Sequence, residues 1–437
     1  MAHHSSRTAW ERLGRRLDRF PQGAPPSETL FQILKVLFSE REAALVSLLP
    51  IRPFTARTAA EIWKTSEKEA RVILDALAAR ALLVDIEIDG APPEEGEADE
   101  PRGPKYVLPP PMAGFFEFSL MRVRGDIDQK ALAELFHQYL NVEEDFIRAL
   151  FTEGETRLGR VFVQEPALSP ENALEVLDWE RASEVVKAAS HLGVSLCYCR
   201  HKMAHLGRAC DAPLEICLTL NGSAASLVRH GHARAIDVVE GLDLLQQARE
   251  RDLVQFGENV RESLNFICNC CGCCCEALMA ARRFATARPI HAAPFLPVVD
   301  GLRCTGCGRC VRLCPVEAMR ADPAEDPARP GRRVASVSEE RCLGCGICVR
   351  NCASGALSLR SRGVRILTPR DTAHRALVMA LERGKLAELL FDNQILWSHR
   401  AMAAFLGAIL ELPPARRLLA SRQLRSTYLD TLARRLV

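Results

Sequence analysis

Over the first third of the chain, apolar positions recur three and four residues apart, the period of helices with one buried face. Leu30, Phe31, Leu34, Leu37 and Phe38 form the first such stripe, behind Ser27, a residue suited to cap a helix. EAALVSLL, ending at Pro50, predicts a second short helix, and Thr55–Trp63 and Ser66–Arg80 predict two more in quick succession. In the last of these Ala70, Ile73, Leu74 and Leu77 face inward, and Ser66 with Glu69 forms the pattern of a capping box. The period then changes to two in Leu82–Ile88 and Tyr106–Leu108, which predicts a pair of strands joined by the polar tip DGAPPEEGEADEPRGPK. Beyond them, the phenylalanines of GFFEFSLMR are expected to pack into the core of the same domain. Helices are expected over Gln129–Asn141, with Leu132, Leu135, Phe136 and Leu140 on one face, and over Glu143–Phe151.

Helices in quick succession followed by two strands read residues 26–125 as a winged helix-turn-helix domain, with 126–160 as a helical connector. From Val161 the pattern is mixed. VFVQ predicts a strand, a helix-rich run starts at Asn172, and Gly193 is expected to close the helix containing Val185, Val186 and Leu192. VSLCYCRHK is then read as extended, with Cys197 and Cys199 on one side, and Cys217 is expected a helical turn or two beyond Pro213. A capped helix over Asp237–Arg249 buries Val238, Leu242 and Leu245. A closing strand is expected over Val364–Leu367, and the tail from Thr372 to Val437 reads as helical, with stripes through Leu377, Leu381, Leu386 and Leu390. The expected class is α+β and multi-domain: the winged domain, an α/β cysteine-rich domain over 161–290, a further domain over 295–370, and helices over 371–437.

Composition narrows the chemistry. With 437 residues, 48% hydrophobic and 26% charged, the chain can bury ample core, and a net charge of +2 argues against a protein that coats nucleic acid. The predicted helix from Ser66 carries Lys68, Arg71 and Arg80 against Glu67, Glu69 and Asp75, so its charges cancel, and the strand tip is acidic. A phosphate backbone rewards clustered positive charge, so docking to protein is expected there rather than DNA binding. All 18 cysteines lie between Cys197 and Cys352, a density that points to metal. The start, MAHHSSRTAWERLGRRLDRF, has no apolar core of a signal peptide, and Arg15–Arg16 is not followed by an apolar run. No apolar stretch approaches a membrane span, so a cytoplasmic location is expected.

Eight of the cysteines form one pattern twice: Cys304, Cys307, Cys310 and Cys314 in CTGCGRCVRLCP, and Cys342, Cys345, Cys348 and Cys352 in CLGCGICVRNCA. Paired CxxC motifs also suit zinc, but two such four-cysteine runs favour iron–sulfur clusters. These segments resemble the bacterial-type two-cluster ferredoxins, 2[4Fe-4S], departing at Ala353, where that family usually has a second proline. The two-cluster arrangement implies that Cys304, Cys307, Cys310 and Cys352 hold one cluster, and Cys342, Cys345, Cys348 and Cys314 the other. Gly306, Gly308, Gly344 and Gly346 let the backbone bend and turn its N–H groups toward the sulfurs.

The other ten cysteines are Cys197, Cys199, Cys210 and Cys217, then six within eight positions of FICNCCGCCCEAL. Asn269 and Gly272 interrupt any regular apolar face, so packing does not explain them, and a reducing compartment argues against adjacent disulfides. Metal ligation remains, with Cys197, Cys199, Cys210, Cys217, Cys268, Cys270, Cys271 and Cys273 as the candidate pool of an additional site, expected to be a further iron–sulfur cluster; one unusual cluster, two clusters, or one cluster with reactive thiols all fit ten cysteines. The doublets loosely resemble the CCG modules of heterodisulfide-reductase-like proteins. CYCRHK and FICNCCGCCC ahead of a two-cluster ferredoxin more closely resemble a multi-domain family of ferredoxin-containing oxidoreductase components. His201 and His205 are expected to be structural or solvated rather than ligands.

No GxGxxG follows a predicted strand, and neither GxxxxGK nor CxxCH occurs, so electrons are expected to come from a protein partner or an unmarked flavin site. Between Asp300 and Arg370 the chain carries 13 arginines against seven acids, a charge that suits an acidic redox partner. The leading expectation is an electron-transfer protein, an electron carrier or component of a cytoplasmic oxidoreductase system, whose two 4Fe-4S clusters relay single electrons to or from the cysteine-rich centre. The alternatives are a redox-sensing DNA-binding regulator and a reductase of disulfides or small substrates that uses the cysteine-rich site.

Overall fold

The computed structural model describes residues 8–86, 103–285, 290–324, 331–363, 366, 368–392 and 402. Most of the acidic strand tip, the expected strand over Val364–Leu367 apart from Ile366, and the tail beyond Asp392 apart from Met402 lie outside them. The chain divides into two compact units: residues 1–156, 222–234 and 372–437 form one, and 157–221 with 235–371 the other. Mixed helix and sheet throughout makes the class α+β.

The first unit opens with helices α1 (Ala9–Asp18), α2 (Glu28–Leu37), α3 (Glu40–Val46), α4 (Ala56–Trp63) and α5 (Glu67–Ala79). Hydroxyl side chains at Thr8, Ser27, Ser39, Thr55 and Ser66 each accept a backbone N–H at the start of one of these helices. The capping box at Ser66 forms only by half. Ser66 accepts from the Glu69 N–H, but the Glu69 carboxylate is taken by the Thr65 hydroxyl and by Arg41. Two short antiparallel strands follow, β1 (Val84–Ile86) and β2 (Lys105–Val107). The aromatic segment then turns inward through a short helix, α6 (Phe116–Ser119), and α7 (Gln129–His137) and α8 (Asp145–Thr152) complete its surroundings. Phe116 stands 4.8 Å from Phe136 between ring centroids, 5.0 Å from Phe115 and 6.1 Å from Phe146, all four buried. Edge-on and tilted rings of this kind add to the area they remove from water.

The second unit is built on a sheet of β3 (Gly159–Val161), β4 (Leu192–Leu196), β5 (Glu215–Leu220), β7 (Val254–Glu258) and β8 (Phe266–Cys270). Its order is β3–β7–β8–β5–β4, antiparallel at every pairing, and the two-residue strand β6 (Arg234–Ala235) lies beyond β4. Helices α9 (Pro170–Glu175), α10 (Ala182–Ala188), α11 (Tyr198–His205), α13 (Val238–Glu250) and α14 (Glu276–Arg283) intervene, whereas α12 (Asn221–Arg229) belongs, all but its first residue, to the first unit. Val185 and Val186 of α10 and Leu244 and Leu245 of α13 pack with Val194, Leu218, Leu220 and Ile267 of the sheet. Side chains alternate across a strand, so Cys217, Cys268 and Cys270 point to the face opposite Leu218 and Ile267.

The unit continues with β9 (Phe295–Val299), α15 (Arg309–Leu313), β10 (Met319–Pro323), β11 (Arg333–Val337), α16 (Ile347–Arg350) and β12 (Leu357–Ser361). β9 pairs antiparallel with β12, and β10 with β11. Val163, Ala167 and Val176 share one buried cluster with Ala293, Phe295 and Leu359, so the sheet and this last segment have a common core. In the first unit, α17 (Thr372–Glu382) and α18 (Leu386–Leu390) close the described chain.

Several expectations of local structure change. Gly193 lies within β4 rather than ending a helix, because α10 stops at Ala188 and Leu192–Leu196 pairs with β5. Cys217 lies on β5, and only Cys197 prolongs the strand before it. Cys199 is already in the first turn of α11.

Asp85 is the principal buried charge on β1. Its carboxylate accepts from the Ser226 hydroxyl at 2.5 Å, Arg229 at 2.6 Å and His230 Nε2 at 3.1 Å, and these bonds lower its pKa against the opposing effect of burial. Asp85→Ala is expected to cost about 2 kcal/mol in the unfolding of the first unit, below the range for a fully buried pair because Arg229 is one-third exposed. Since the folded-state pKa lies below the unfolded one, the wild-type advantage should hold above about pH 4 and vanish as pH falls through the folded value; denaturation of both proteins across that range checks it.

Candidate iron–sulfur and metal centres

The last segment of the second unit folds each cysteine run in the same way. A glycine-laced loop carries the first cysteines and a short helix the third. Gly308 precedes α15 and Gly346 precedes α16, and with Gly306 and Gly344 they have φ between 69° and 83°, a conformation that costs an L side chain dearly. Space closes the same option: a Cβ on Gly306 would lie 2.4 Å from the Arg333 carbonyl oxygen, and one on Gly344 2.3 Å from that of Phe295.

The fourth cysteine of each run leaves its own loop. Cys304, Cys307, Cys310 and Cys352 line one pocket, and Cys314, Cys342, Cys345 and Cys348 line another. Backbone N–H groups point at the sulfurs: Ala318 at Cys314 (3.2 Å), Gly344 at Cys342 (3.4 Å) and Ala335 at Cys304 (3.5 Å). The pockets differ in access. Cys307 is exposed, and its thiol pKa is lowered by the Arg309 N–H and the Thr305 hydroxyl. Burial instead raises Cys345 to about 12 and pushes Cys342 and Cys348 upward. Thiols that resist ionisation alone need a strongly charged partner to become thiolates, and a metal centre is one. Four sulfurs facing one pocket, N–H donors aimed at them and loops that exclude side chains fit a sulfur-ligated cluster.

Both pockets are tied to the segments around the cysteine-rich sheet, that of Cys304 through Asn351, which donates to Asp252 at 2.7 Å, and that of Cys314 through backbone as well. Gln164 donates its backbone N–H to the Cys345 carbonyl at 2.8 Å, Ala293 to that of Leu343 at 2.8 Å, and Arg350 reaches Gln164 at 2.8 Å and Asp252. A Cβ on Gly272, in the turn after β8, would lie 2.5 Å from the carbonyl oxygen of Pro315, next to Cys314.

The ten remaining cysteines separate into two groups. Cys210, from the loop between α11 and β5, meets Cys271, Cys273 and Cys274 of the β8–α14 turn, and their sulfurs all lie within 4.8 Å of one another. The other six form a run of thiol contacts in which Cys197 meets Cys217, Cys217 meets Cys268, Cys268 meets Cys270, Cys270 meets Cys275, and Cys275 meets Cys199. Hydrogen bonds from Cys217 and Cys270 lower the Cys268 pKa to about 6 against burial. Hydrogen bonding from Cys274, aided by the Arg200 guanidinium 3.6 Å away, lowers Cys271 to about 4 against burial. Cys274 and Cys275, outside the pool of ligands expected from the sequence, each belong to one of these groups. The signal for them is the pairs Cys270–Cys271 and Cys274–Cys275, each split between the two groups, while Cys273 and Cys274, in the turn after β8, share one group. Cys270 and Cys275 turn to the six-thiol group, and Cys271 and Cys274 to the four-thiol group. The His201 and His205 rings lie tilted against each other, 4.7 Å between centroids.

Lys202 of α11 and Glu276 of α14 form an ion pair in which both side chains are almost wholly inaccessible. It joins the helices that carry Cys199 and follow Cys275. Glu276→Gln should destabilise the second unit by about 3 kcal/mol, because the lysine charge keeps its desolvation penalty and loses its counter-charge. The double variant Lys202→Met/Glu276→Leu should recover most of that loss in chemical denaturation.

Against known proteins, no curated protein and no solved structure matches the chain. Residues 303–356 match the family model of the 4Fe-4S dicluster domain, so the chain carries an iron–sulfur, ferredoxin-like domain in that segment.

Proposed function

We propose that the protein is an iron–sulfur electron-transfer component in which two [4Fe-4S] clusters relay single electrons between a redox partner and the cysteine-rich centre. The observation that carries this reading is that each of two pockets is lined by three cysteines of one run and the fourth of the other. Cys304, Cys307, Cys310 and Cys352 would hold one cluster, and Cys342, Cys345, Cys348 and Cys314 the second. When bound, each cluster supplies a one-electron couple. The protein's own part is to fix the sulfurs, aim N–H groups at them and set their exposure, which together tune such a couple.

Exposure gives the two sets different tasks. The set containing Cys307 faces solvent, beside the exposed Leu302 and the solvent-side Arg303 and Arg309, and suits contact with an acidic partner. The set containing Cys314 is stitched to the cysteine-rich sheet and suits exchange within the unit. Six thiols in contact there, those of Cys197, Cys270 and Cys275 buried and those of Cys199, Cys217 and Cys268 half-buried, would hold a further iron–sulfur centre. We read α4, α5, β1 and β2 as a winged-helix-like docking domain. On α5 and its neighbours Arg71 pairs with Glu67, Arg41 with Glu69 and Arg57 with Glu61, while Val72 is exposed, a surface that favours protein over phosphate. Among the described residues no helix is long and apolar enough to cross a membrane, and thiolate chemistry of this density suits a reducing cytoplasm.

Anaerobic purification with iron and sulfide counting and paramagnetic resonance tests the reading. Occupied ferredoxin pockets should give about eight irons, and a further centre in the cysteine-rich module twelve or more. Protein that reconstitutes no acid-labile sulfide would contradict it. Gly344→Ala should lose about four irons, because its Cβ displaces the second loop from Phe295. Electron-transfer rates with an acidic partner should fall as salt rises, and rates independent of ionic strength would count against the arginine-lined docking surface.

A further inference from the structure

Ten cysteines in one module exceed what a single centre needs, and the structure divides them by spacing. Sulfurs are 3.5 Å apart between Cys210 and Cys271, 3.6 Å between Cys273 and Cys274, and 3.9 Å between Cys210 and Cys274. A single ion with metal–sulfur bonds of about 2.3 Å in a tetrahedron sets its ligands about 3.8 Å apart. A cubane, whose metals occupy four separate corners, holds its four thiolates further apart than one ion does. Both ferredoxin pockets offer a comparison within the same chain: among the described residues, only the set with Cys210 gathers three or more potential ligand atoms all within 4.8 Å.

We propose that Cys210, Cys271, Cys273 and Cys274 bind one tetrahedral metal ion, zinc or iron, separate from the iron–sulfur centres. Four thiolates and no open position make this a closed, structural site. Four thiolates on a divalent ion leave an excess of two negative charges. The buried Arg200 answers part of it, donating to Cys271 at 3.6 Å and to the Asn269 carbonyl at 3.3 Å. The ion fastens the α11–β5 loop to the turn after β8. That turn also carries Cys270 and Cys275 toward the six-thiol group and lays Gly272 on Pro315, so one ion would fix the spacing of both neighbouring centres. The inference stands on its own sulfurs and survives if the electron-transfer reading fails.

The full-length protein, purified anaerobically, is measured for zinc, iron and sulfide, with X-ray absorption at both metal edges. The expected zinc form holds one equivalent with four sulfurs at about 2.3 Å and no neighbouring metal. The expected iron form holds one equivalent of iron beyond the amount matched by sulfide. Cys210→Ser and Cys274→Ser should each lose that equivalent and keep the iron and sulfide of the ferredoxin segment. Wild-type protein provides a test that needs no variant to fold. A chelator that removes one equivalent should make four cysteines newly alkylatable, and peptide mapping should identify Cys210, Cys271, Cys273 and Cys274. Retention of the ion in both variants, nitrogen or oxygen ligands, a metal–metal shell at these sulfurs, or disulfides among them in the anaerobic protein would each overturn the proposal.

Discussion

The second unit rests on one constraint: sulfurs that must converge on a common point come from segments far apart in sequence. Neither four-cysteine run surrounds a pocket by itself. Each needs the last cysteine of the other, and the antiparallel pairing of β9 with β12 draws the two ends of the segment together to provide it. The glycines at positive φ follow from the same constraint. Loops tight enough to turn N–H groups toward sulfur pass so close to the Arg333 and Phe295 carbonyls that no Cβ fits.

In the cysteine-rich module a sheet serves the same end. Its apolar face is sealed by α10 and α13, so Leu218 and Ile267 point one way and Cys217, Cys268 and Cys270 the other. The buried Lys202–Glu276 pair then holds α11 and α14 over the thiols. Hydrogen bonds from Gln164, Ala293 and Arg350 tie the Cys314 pocket to this sheet, while Cys307 remains open to solvent. Under the proposed function, this arrangement would give an electron path an outer end at Cys307 and an inner end at the module.

What was legible in the sequence was local. Ser27, Ser66 and Asp237 cap helices because a cap depends on a hydroxyl or carboxylate and the few residues after it. Both cysteine runs were legible because three of the four sulfurs in each pocket lie within one loop. What depended on distant pairing was not. Cys217 follows a proline at helix-like spacing, yet β5 is a strand because β4 and β8 flank it. Gly193 looked like a helix end and became a strand residue for the same reason. The division of the ten cysteines was out of reach, because Cys210 joins Cys271, Cys273 and Cys274 from a loop some sixty residues away.

The most direct test of the central claim is an anomalous-scattering map at the iron edge from anaerobically grown crystals. The account predicts one iron cluster bounded by Cys304, Cys307, Cys310 and Cys352, and a second by Cys342, Cys345, Cys348 and Cys314. Iron held by Cys304, Cys307, Cys310 and Cys314 together, or no iron between the two runs, would contradict it.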